Sequence, residues 1–449
     1  MSLNLKLDPT FMPAFEVYNE FNQRVLKANH EKLSIVVERN DGFNEVFHQE
    51  IFSDAVMMDE NIFLLERLVK SLLWIYGGYK VIIVGNKEVH QRLKDIFDKG
   101  ARTFDKAFME RIYLEKFEVL HSESLPEIKK GDQPIGKHLN GNRIGFDAGG
   151  SDMKVSAVKD GEVLFSEEII WLPKLNSDPE YHKQHIRNAI LKAVKVLGQV
   201  DAIGVSSAGV YINNEARVAS LFIEVPEDLF DQHIKNIYID IAKELNVPIV
   251  VANDGDVTAL AGSMTLNKTK LLGIAMGTSE AAGYVNEKGN IEGWLNELAF
   301  VPVDFQPNGP VDEWSGDYGT GNKYFSQDAV IRLAEKAGIT FEPSQTLAER
   351  LKVVQKLDKN DLRFIEIYET IGTYLAYGLA WYDVFYDISE VLLLGRVMSG
   401  EGGMLIVKKA NEVLKNVFPQ LKKKINLSLP DEKFRRLGQS VAAASLVQF

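Results

Sequence analysis

The chain has no cysteine among its 449 residues. Disulfides, thiol nucleophiles and cysteine-ligated zinc are therefore excluded. No apolar run approaches the length of a membrane span, and the first residues lack the apolar core of a signal peptide. The chain also lacks an excess of positive charge, because its formal net charge is −12, and no basic stripe suits a nucleic acid. These absences predict a soluble cytoplasmic protein with neither a membrane nor a nucleic-acid partner.

What is present is typical of a globular protein, with 45% hydrophobic and 25% charged residues. The chain is too long for one compact core, so two or three domains are expected. Strand and helix patterns alternate, which favours α/β architecture. Residues 122–142 are rich in turn-forming and charged residues and predict a linker. The predicted domains are residues 1–140, 141–265 and 266–449.

Two similar patterns lie on either side of this linker. Before it, a hairpin (33–38 and 44–52), a helix (about 61–76), a strand (80–84) and two further helices are predicted. After it come strands at 143–147, 153–158 and 162–170, a helix near 181–197 and a strand at 202–206. Helices near 363–385 and 435–447 are also predicted, the first mostly core and the second packing back on the second domain. The helix at 61–76 is apolar over a wide arc and should be buried on more than one side.

The restart of the pattern suggests an internal duplication. The first copy lacks a glycine turn before its hairpin, so we expect it to be a degenerate half-lobe that serves packing or assembly and binds no nucleotide. The alternative is that any two α/β units share such a pattern. Topology decides between them.

Two apolar strands, about 130 residues apart, each run into a tight turn. The first passes Asp147 into Gly149, Gly150 and Ser151, and the second ends at Gly277 and Thr278. Glycines let a backbone approach phosphate closely, and turn amides cradle its oxygens. Taken singly, each turn is ordinary, but the ordered pair predicts a triphosphate site.

A carboxylate at a strand end, such as Asp147, is suited to Mg²⁺ held directly or through water. Lys154, on the following strand, could contact phosphate or could equally be a solvated strand lysine.

The strand at 249–254 delivers Asn253 and Asp254 between the two turns. Phosphoryl transfer to an alcohol needs a carboxylate that accepts the hydroxyl proton, and Asp254 is the candidate general base. Asn253 can both donate and accept hydrogen bonds, as sugar hydroxyls require. The bland alternative is that the pair caps the next helix, or that Asp256 does so and leaves Asp254 free.

Together these segments resemble the ROK sugar kinases of the hexokinase–actin superfold. The likeness covers residues 141–449 in the family's order. It is carried by Phe146 to Lys154, Gly204 to Gly209, Pro248 to Leu260, Leu272 to Gly283, Gly293 to Phe300 and Val391 to Gly400. It implies two actin-like (ribonuclease H-like) α/β lobes around a cleft, with residues 1–140 as an additional α/β module. It also implies ATP and Mg²⁺, the latter held by Asp147 through ATP, and a sugar substrate; a homodimer stays open.

Site residues follow from the same resemblance. The residues expected at the sugar are Asn253, Asn296, Glu297, Ser207 and Gly209. Those expected at the nucleotide are Gly149, Gly150, Ser151, Lys154, Gly277, Thr278, Ser279 and Gly395.

The sequence also departs from the family. Phe300 stands at the histidine position, and residues 317–325 replace the cysteine-rich stretch, so no zinc is expected. Glu280 would place an anion near the triphosphate unless it points away, and Arg396 replaces one glycine of the adenosine motif.

Three functions therefore stay open, of which an ATP-dependent kinase that phosphorylates a sugar hydroxyl is favoured. The second is a catalytically weak or inactive sugar-binding sensor or scaffold. The third is a ROK-type repressor, which would need an N-terminal helix-turn-helix that residues 1–140 do not suggest. Other chemistry on the same superfold, such as acetate-kinase-like phosphorylation or an activator ATPase, completes the set.

Overall fold

The computed structural model describes residues 5–131, 135–430 and 432–448, with the backbone alone at 432–437. The chain divides into two compact units, each assembled from separate segments. The first unit comprises Met1–Lys130, Ile274–Ala282 and Trp294–Leu429. The second comprises Gly131–Gly273, Gly283–Gly293 and Pro430–Phe449. Residues 1–130, called the N-terminal module below, thus share a compact unit with most of the last third of the chain.

The N-terminal module is an α/β layer. Its elements are α1 (Ala14–Val25), β1 (His30–Glu38), β2 (Asn44–Phe52), α2 (Met58–Tyr76), β3 (Lys80–Val84), α3 (Lys87–Lys99), α4 (Thr103–Tyr113) and β4 (Glu118–Ser122). The four strands form a sheet in the order β2-β1-β3-β4, in which β1 is antiparallel to both neighbours and β3 is parallel to β4. The predicted hairpin and helices are confirmed, whereas α1 and β4 were not predicted.

Within the second unit, a five-stranded sheet has the order β11-β8-β5-β6-β7. Its elements are β5 (Asn142–Ala148), β6 (Asp152–Lys159), β7 (Glu162–Ile170), α5 (Pro179–Leu197), β8 (Ala202–Ser207), β9 (Val210–Ile212), β10 (Glu215–Val218), α6 (Glu227–Leu229), α7 (Ile237–Leu245), β11 (Ile249–Asn253) and α8 (Asp254–Leu266). Strands β5, β8 and β11 run parallel, and β6 is antiparallel to both β5 and β7. The carboxyl ends of the three parallel strands therefore share one edge of the sheet.

The remaining elements belong largely to the first unit, and the division between units passes through β12 and β13. They are β12 (Leu271–Met276), β13 (Glu280–Val285), α9 (Gln327–Lys336), α10 (Leu347–Gln355), α11 (Leu362–Tyr382), β14 (Glu390–Leu394), α12 (Gly400–Val417), α13 (Pro419–Lys424), β15 (Asn426–Ser428) and α14 (Glu432–Ala444). Four of these form a sheet ordered β13-β12-β14-β15. Helix α11 is buried along most of its length, as predicted for residues 363–385.

Helix α14 returns to the second unit, as predicted for the last helix. The Ser440 hydroxyl lies 2.8 Å from that of Ser156 on β6. The buried Arg143 side chain at the start of β5 donates to the Val447 carbonyl at 2.7 Å, just beyond the helix. The same guanidinium donates to the Ala444 carbonyl at 3.4 Å, one of the last carbonyls of the helix, so the start of β5 is tied to the end of α14.

Helix α2 joins the N-terminal module to the rest of the first unit. Nearly every residue from Met58 to Tyr76 is buried, including the charged side chains Glu66, Arg67 and Lys70. The wide apolar arc of this helix is therefore covered on all sides, as the sequence predicts. Within the described residues, no helix is both long enough and apolar enough to cross a membrane.

Candidate active site

The first phosphate-type turn joins β5 to β6. The Gly149 amide donates to the Asp152 carbonyl at 2.9 Å, and the Trp171 indole donates to the Gly149 carbonyl at 2.8 Å. The Ser151 hydroxyl donates to the Asp152 carboxylate at 2.8 Å. Within the described part of the chain, the amides of Gly150 and Ser151 have no acceptor, and both residues are exposed. Two backbone donors are therefore exposed at this turn, and their role as phosphate ligands stays a prediction.

Asp147 lies at the end of β5, half-buried beneath that turn. The Ser206 hydroxyl on β8 donates to its Oδ1 at 2.7 Å. Burial, together with the nearby carboxylates of Asp254 and Asp152, raises the pKa of Asp147 to about 6, although the hydrogen bond from Ser206 opposes the rise. Such a carboxylate gains from a cation, so its chemistry fits an ATP-bound Mg²⁺.

Both residues of the Asn253–Asp254 pair accept from the Gly255 amide at the start of α8, and the distance from Asp254 Oδ1 is 3.0 Å. Asn253 caps α8, because its Oδ1 accepts from the Gly255 amide at 2.7 Å, and its amide donates to the Gly209 carbonyl at 2.7 Å. Asp254 is the first residue of α8, and burial raises the pKa of its carboxyl. The proposed alternative cap is wrong, because Asp256 is buried and its Oδ1 accepts from the Tyr284 amide at 3.3 Å.

Two lysines lie near these carboxylates. Lys154 is the cross-strand neighbour of Asp147 in the β5–β6 register and lowers the pKa of that carboxyl. Lys174 was missed by the sequence analysis, since it follows β7 in a short 3₁₀ turn far along the chain from either motif. Its side chain lies over Gly150, where an added β-carbon would be 3.5 Å from Nζ, and its charge opposes the rise in the pKa of Asp254.

Ser207 and Gly209 lie behind this edge of the sheet. The fully buried Ser207 hydroxyl is 2.7 Å from that of Tyr211 and 3.0 Å from that of Tyr238. The sequence analysis missed both tyrosines, which form a buried hydroxyl cluster with Ser207. A direct bond from Ser207 to a ligand would compete with this cluster. The cluster instead stabilises the end of β8, just before Gly209, whose carbonyl accepts from the Asn253 side-chain amide.

The second phosphate-type turn belongs to the first unit. The Gly277 amide donates to the Ser279 carbonyl at 3.0 Å, and the exposed Ser279 hydroxyl donates to the Asn322 side chain at 2.9 Å. Gly395 has a φ of 93°, and a side chain there would collide with the Met276 carbonyl one residue before the turn. The structure therefore brings Gly395 next to Gly277, with Thr278 exposed between its neighbours.

Glu280, the expected source of repulsion, points away from this turn. Its side chain is buried, with Oε1 3.4 Å from the Tyr382 hydroxyl. Burial raises the pKa of Glu280 to about 8, and the charge of Glu297 adds to the effect. The carboxyl is therefore mainly protonated near neutral pH and brings little negative charge to the turn.

Asn296 and Glu297, the other predicted sugar ligands, also lie in the first unit. Asn296 is 2% exposed, and its Oδ1 accepts from the Tyr386 hydroxyl at 2.9 Å. Glu297 is only partly buried. Phe300 is buried and stacks on Trp74 of α2, with ring centroids 4.3 Å apart. Of the three residues Asn296, Glu297 and Phe300, only Glu297 is not buried.

A buried ion cluster fills the stretch where the resemblance would place cysteines. Asp317 accepts from Arg102 at 2.7 Å and from Arg67 at 3.0 Å, and Lys70 is 2.9 Å from the same oxygen. These cations hold the pKa of Asp317 well below its usual range, although burial alone would raise it. Among the residues described, no group of three or more His, Cys, Asp or Glu side chains could hold a metal. The absence of zinc stays a prediction.

The sequence profile of the ROK family matches residues 143–438, more than half of the chain. The chain belongs to the ROK family. A ROK hexokinase from Thermus thermophilus has a similar structure at 18% identity and a TM-score of 0.53, covering 68% of this chain and 97% of that one. A ROK transcriptional regulator, described as a homologue of the E. coli MLC protein, matches at 16% identity and a TM-score of 0.51, covering 68% and 78%.

At these identities the two structures show the fold alone: the ROK part is actin-like α/β, and an extra N-terminal region precedes it. The family contains both sugar kinases and regulators, so membership by itself leaves the activity open. No curated protein matches the chain.

Proposed function

We propose that this ROK protein is an ATP-dependent kinase that phosphorylates a hydroxyl of a hexose or hexose derivative in the cytoplasm. The observation that carries the proposal is the pair Asp147 and Asp254. Both carboxylates lie at the ends of parallel strands of one sheet, both have raised pKa values, and the phosphate-type turn lies beside them. A structural carboxylate of the same protein, Asp317, is instead neutralised by three cations.

In this proposal Asp254 is the general base. As the bond between the sugar oxygen and the γ-phosphorus forms, the bond from that phosphorus to ADP breaks, and the hydroxyl proton passes to the Asp254 carboxylate. A raised pKa suits the task, because a base works best when its pKa approaches the ambient pH. Asn253 fixes the strand end on which Asp254 stands and offers its remaining hydrogen-bonding capacity to the sugar.

ATP supplies the phosphoryl group, and Mg²⁺ neutralises its charge. Asp147 would hold the ion through ATP, with the amides of Gly150 and Ser151 and the cation of Lys154 available to the phosphates. In the first unit, Gly277, Thr278, Ser279 and Gly395 are the proposed nucleotide residues. Glu297 is the proposed acceptor of adjacent sugar hydroxyls, as a bidentate carboxylate.

The alternative is a sensor that binds a sugar but turns it over weakly or not at all. Phe300 favours it, because a buried phenyl ring stacked on Trp74 offers no hydrogen bond to a substrate. Repulsion between a Glu280 anion and the triphosphate would be a second reason for inactivity, but it does not apply because Glu280 is mainly neutral. A regulator that binds nucleic acid is not favoured, since the described part of the N-terminal module is built on a four-stranded sheet.

The test is ADP release from Mg-ATP with a panel of hexoses and N-acetylhexosamines, glucose and N-acetylmannosamine among them. At least one sugar should be phosphorylated by the wild-type protein, and far less by Asp254→Asn. Calorimetric binding of a sugar without any turnover would favour the sensor. Neither binding nor turnover across the panel would contradict both.

A further inference from the structure

The last turn of α2 holds the backbone of residues 294–300, called the substrate loop below. The Asn296 amide donates to the Ile75 carbonyl at 3.0 Å, and the Glu297 amide donates to the Trp74 carbonyl at 3.0 Å. The final carbonyls of a helix have no partner within the helix. Here the substrate loop supplies their partners, and the N-terminal module therefore fixes two successive residues of the loop.

Asn296 gives the loop its shape at the same point. Its φ of 53° is left-handed, a conformation that asparagine tolerates better than most residues. The Tyr386 hydroxyl donates to its side-chain oxygen at 2.9 Å, while Tyr386 and Tyr76 both pack against the Trp294 ring. The buried Asn296 is thus fixed at its side chain by Tyr386 and at its backbone by α2. We call these contacts the clamp, and they set the direction in which the next residue, Glu297, leaves the backbone.

Helix α2 is itself immobilised within the first unit. Three cations, Arg67 and Lys70 of α2 and Arg102 before α4, surround the buried Asp317. Trp74 adds a bond to Asp105 at 2.6 Å and stacks on Phe300, the residue that ends the substrate loop. The loop therefore meets α2 both by hydrogen bonds at its middle and by ring packing at its end.

We propose that the N-terminal module is part of the substrate site, with the last turn of α2 and Tyr386 as the positioning elements that fix Asn296 and aim Glu297. This rests on the proposed function, because it assumes that Glu297 binds the sugar. Asn296 then acts as a positioning residue rather than as a sugar ligand. Disturbing the contacts that fix Asn296 should lower the affinity for the sugar and leave the affinity for ATP unchanged.

The mildest test is Tyr386→Phe, which removes the hydroxyl that bonds Asn296. A net hydrogen bond contributes about 1 kcal/mol, so the KM for the sugar should rise about fivefold while the KM for ATP stays constant. The matched control is Tyr368→Phe. Tyr368 is a fully buried tyrosine of α11 whose hydroxyl has no partner in the described part of the chain. Its loss should change neither KM.

The test of α2 itself is Gly77→Ala, directly after the helix. Gly77 has a φ of 82°, and a methyl group there would meet the Tyr113 hydroxyl and the Leu295 side chain of the substrate loop. The control is Gly338→Ala, at a φ of 81° with open space around it. We expect Gly77→Ala to raise the KM for the sugar at least tenfold and the control to leave it unchanged, with melting temperatures recorded for both.

Equal sugar KM values for wild type, Tyr386→Phe and a folded Gly77→Ala would overturn the proposal, as would parallel rises for sugar and ATP. If Gly77→Ala does not fold, Tyr386→Phe and its control decide. If the wild type binds glucose or another sugar of the panel without turnover, calorimetric dissociation constants replace KM, so the kinase function fails while the positioning role is still decided. If it neither binds nor phosphorylates any sugar, both proposals fall.

Discussion

The N-terminal sheet and the sheet of the second unit share one plan, except for a single strand. Without β5, the second sheet reads β7-β6-β8-β11, which matches β2-β1-β3-β4 of the N-terminal module. Directions agree as well: each sheet has an antiparallel hairpin and a parallel pair, and the hairpin strand next to that pair runs opposite to it. A long helix, α2 or α5, follows each hairpin.

The strand that the N-terminal module lacks is the one to which we assign the proposed chemistry. Strand β5 carries Asp147 and runs into the phosphate-type turn, whereas β1 and β3 of the N-terminal module pair directly. The duplication hypothesis predicts the loss of the turn alone, whereas the module lacks a whole strand, so the two strand orders agree only when β5 is left out. That the module is a degenerate half-lobe without nucleotide remains a prediction, to be checked by superposing residues 30–120 on 150–260 and by nucleotide binding.

The two regions also treat buried charge differently. In the second unit, Asp147 and Asp254 are near each other and have raised pKa values. In the first, Glu66, Asp105 and Asp317 are matched by Arg67, Lys70 and Arg102 within one cluster. A buried carboxylate without a cationic partner is stabilised when it binds a cation or a proton. A carboxylate within a buried ion cluster instead holds the surrounding segments together. The comparison supports the proposed chemistry for the sheet of the second unit and a structural role for the charged cluster of the first unit. Glu280 is an exception in the first unit, since it is buried and its pKa is raised as well.

The largest difference between the two sheets is expected in catalysis, when residues at corresponding strand ends are substituted. Asp254 follows the end of β11, and Glu123 follows the corresponding end of β4, where it is exposed beside Lys87. We expect Asp254→Asn to lower kcat by about 10²–10⁴-fold, because an oriented base is lost. Glu123→Gln should leave kcat unchanged. Steady-state kinetics and circular dichroism check both; near-normal turnover in Asp254→Asn would reduce Asp254 to a structural residue.

For the free energy of unfolding, the larger effect should come from the first unit and the smaller one from the second. Asp317→Asn leaves three buried cations with too few anions, and breaking a buried ionic cluster typically costs about 3–5 kcal/mol. Asp147→Asn removes a desolvated carboxylate and should be neutral or stabilising. Urea denaturation of the two variants at pH 7 measures the difference. A large loss for Asp147→Asn would show that it, too, is a structural ion.

A smaller effect is expected from Lys174, which lies near the phosphate-type turn of the second unit. Its Nζ lies beside the phosphate-type turn, and no ion-pair partner for it is found among the described residues. We expect Lys174→Met to raise the KM for ATP about tenfold at low salt and less at high salt, since exposed charges are screened. Lys159→Met, at the exposed far end of β6, is the control. An unchanged KM for ATP would leave Lys174 without a role.

The mildest effect is expected from pH. The pKa of Glu280 rises from 4.5 to about 8 in the folded protein, so the folded state binds the extra proton between these values. Its contribution therefore destabilises the protein progressively as pH rises from 4.5 to 8. Glu280→Gln should lose less stability than wild type between pH 5.5 and 8, measured as urea midpoints. Equal pH dependence would mean that Glu280 is ionised in the fold.

Sequence alone determined the elements whose signals are local. Alternating and apolar runs predicted the strands on both sides of the linker, and the glycine turn after Asp147 was found because its residues are consecutive. Strand β4 was missed because it has only five residues, of which one is buried, whereas the amphipathic helix α1 was overlooked. The ends of the predicted elements moved by a few residues.

Only the tertiary structure decided which side chains face a ligand and which face the core. The sequence predicts Asn296 at the sugar and an anion, Glu280, near the triphosphate, yet both are buried: Asn296 accepts from Tyr386, and Glu280 is a mainly neutral acid. Asp317 finds Arg67 across 250 residues of chain, and Lys174 reaches Gly150 from outside any motif. Burial and long-range charge pairing depend on packing between distant segments, and no local pattern encodes them.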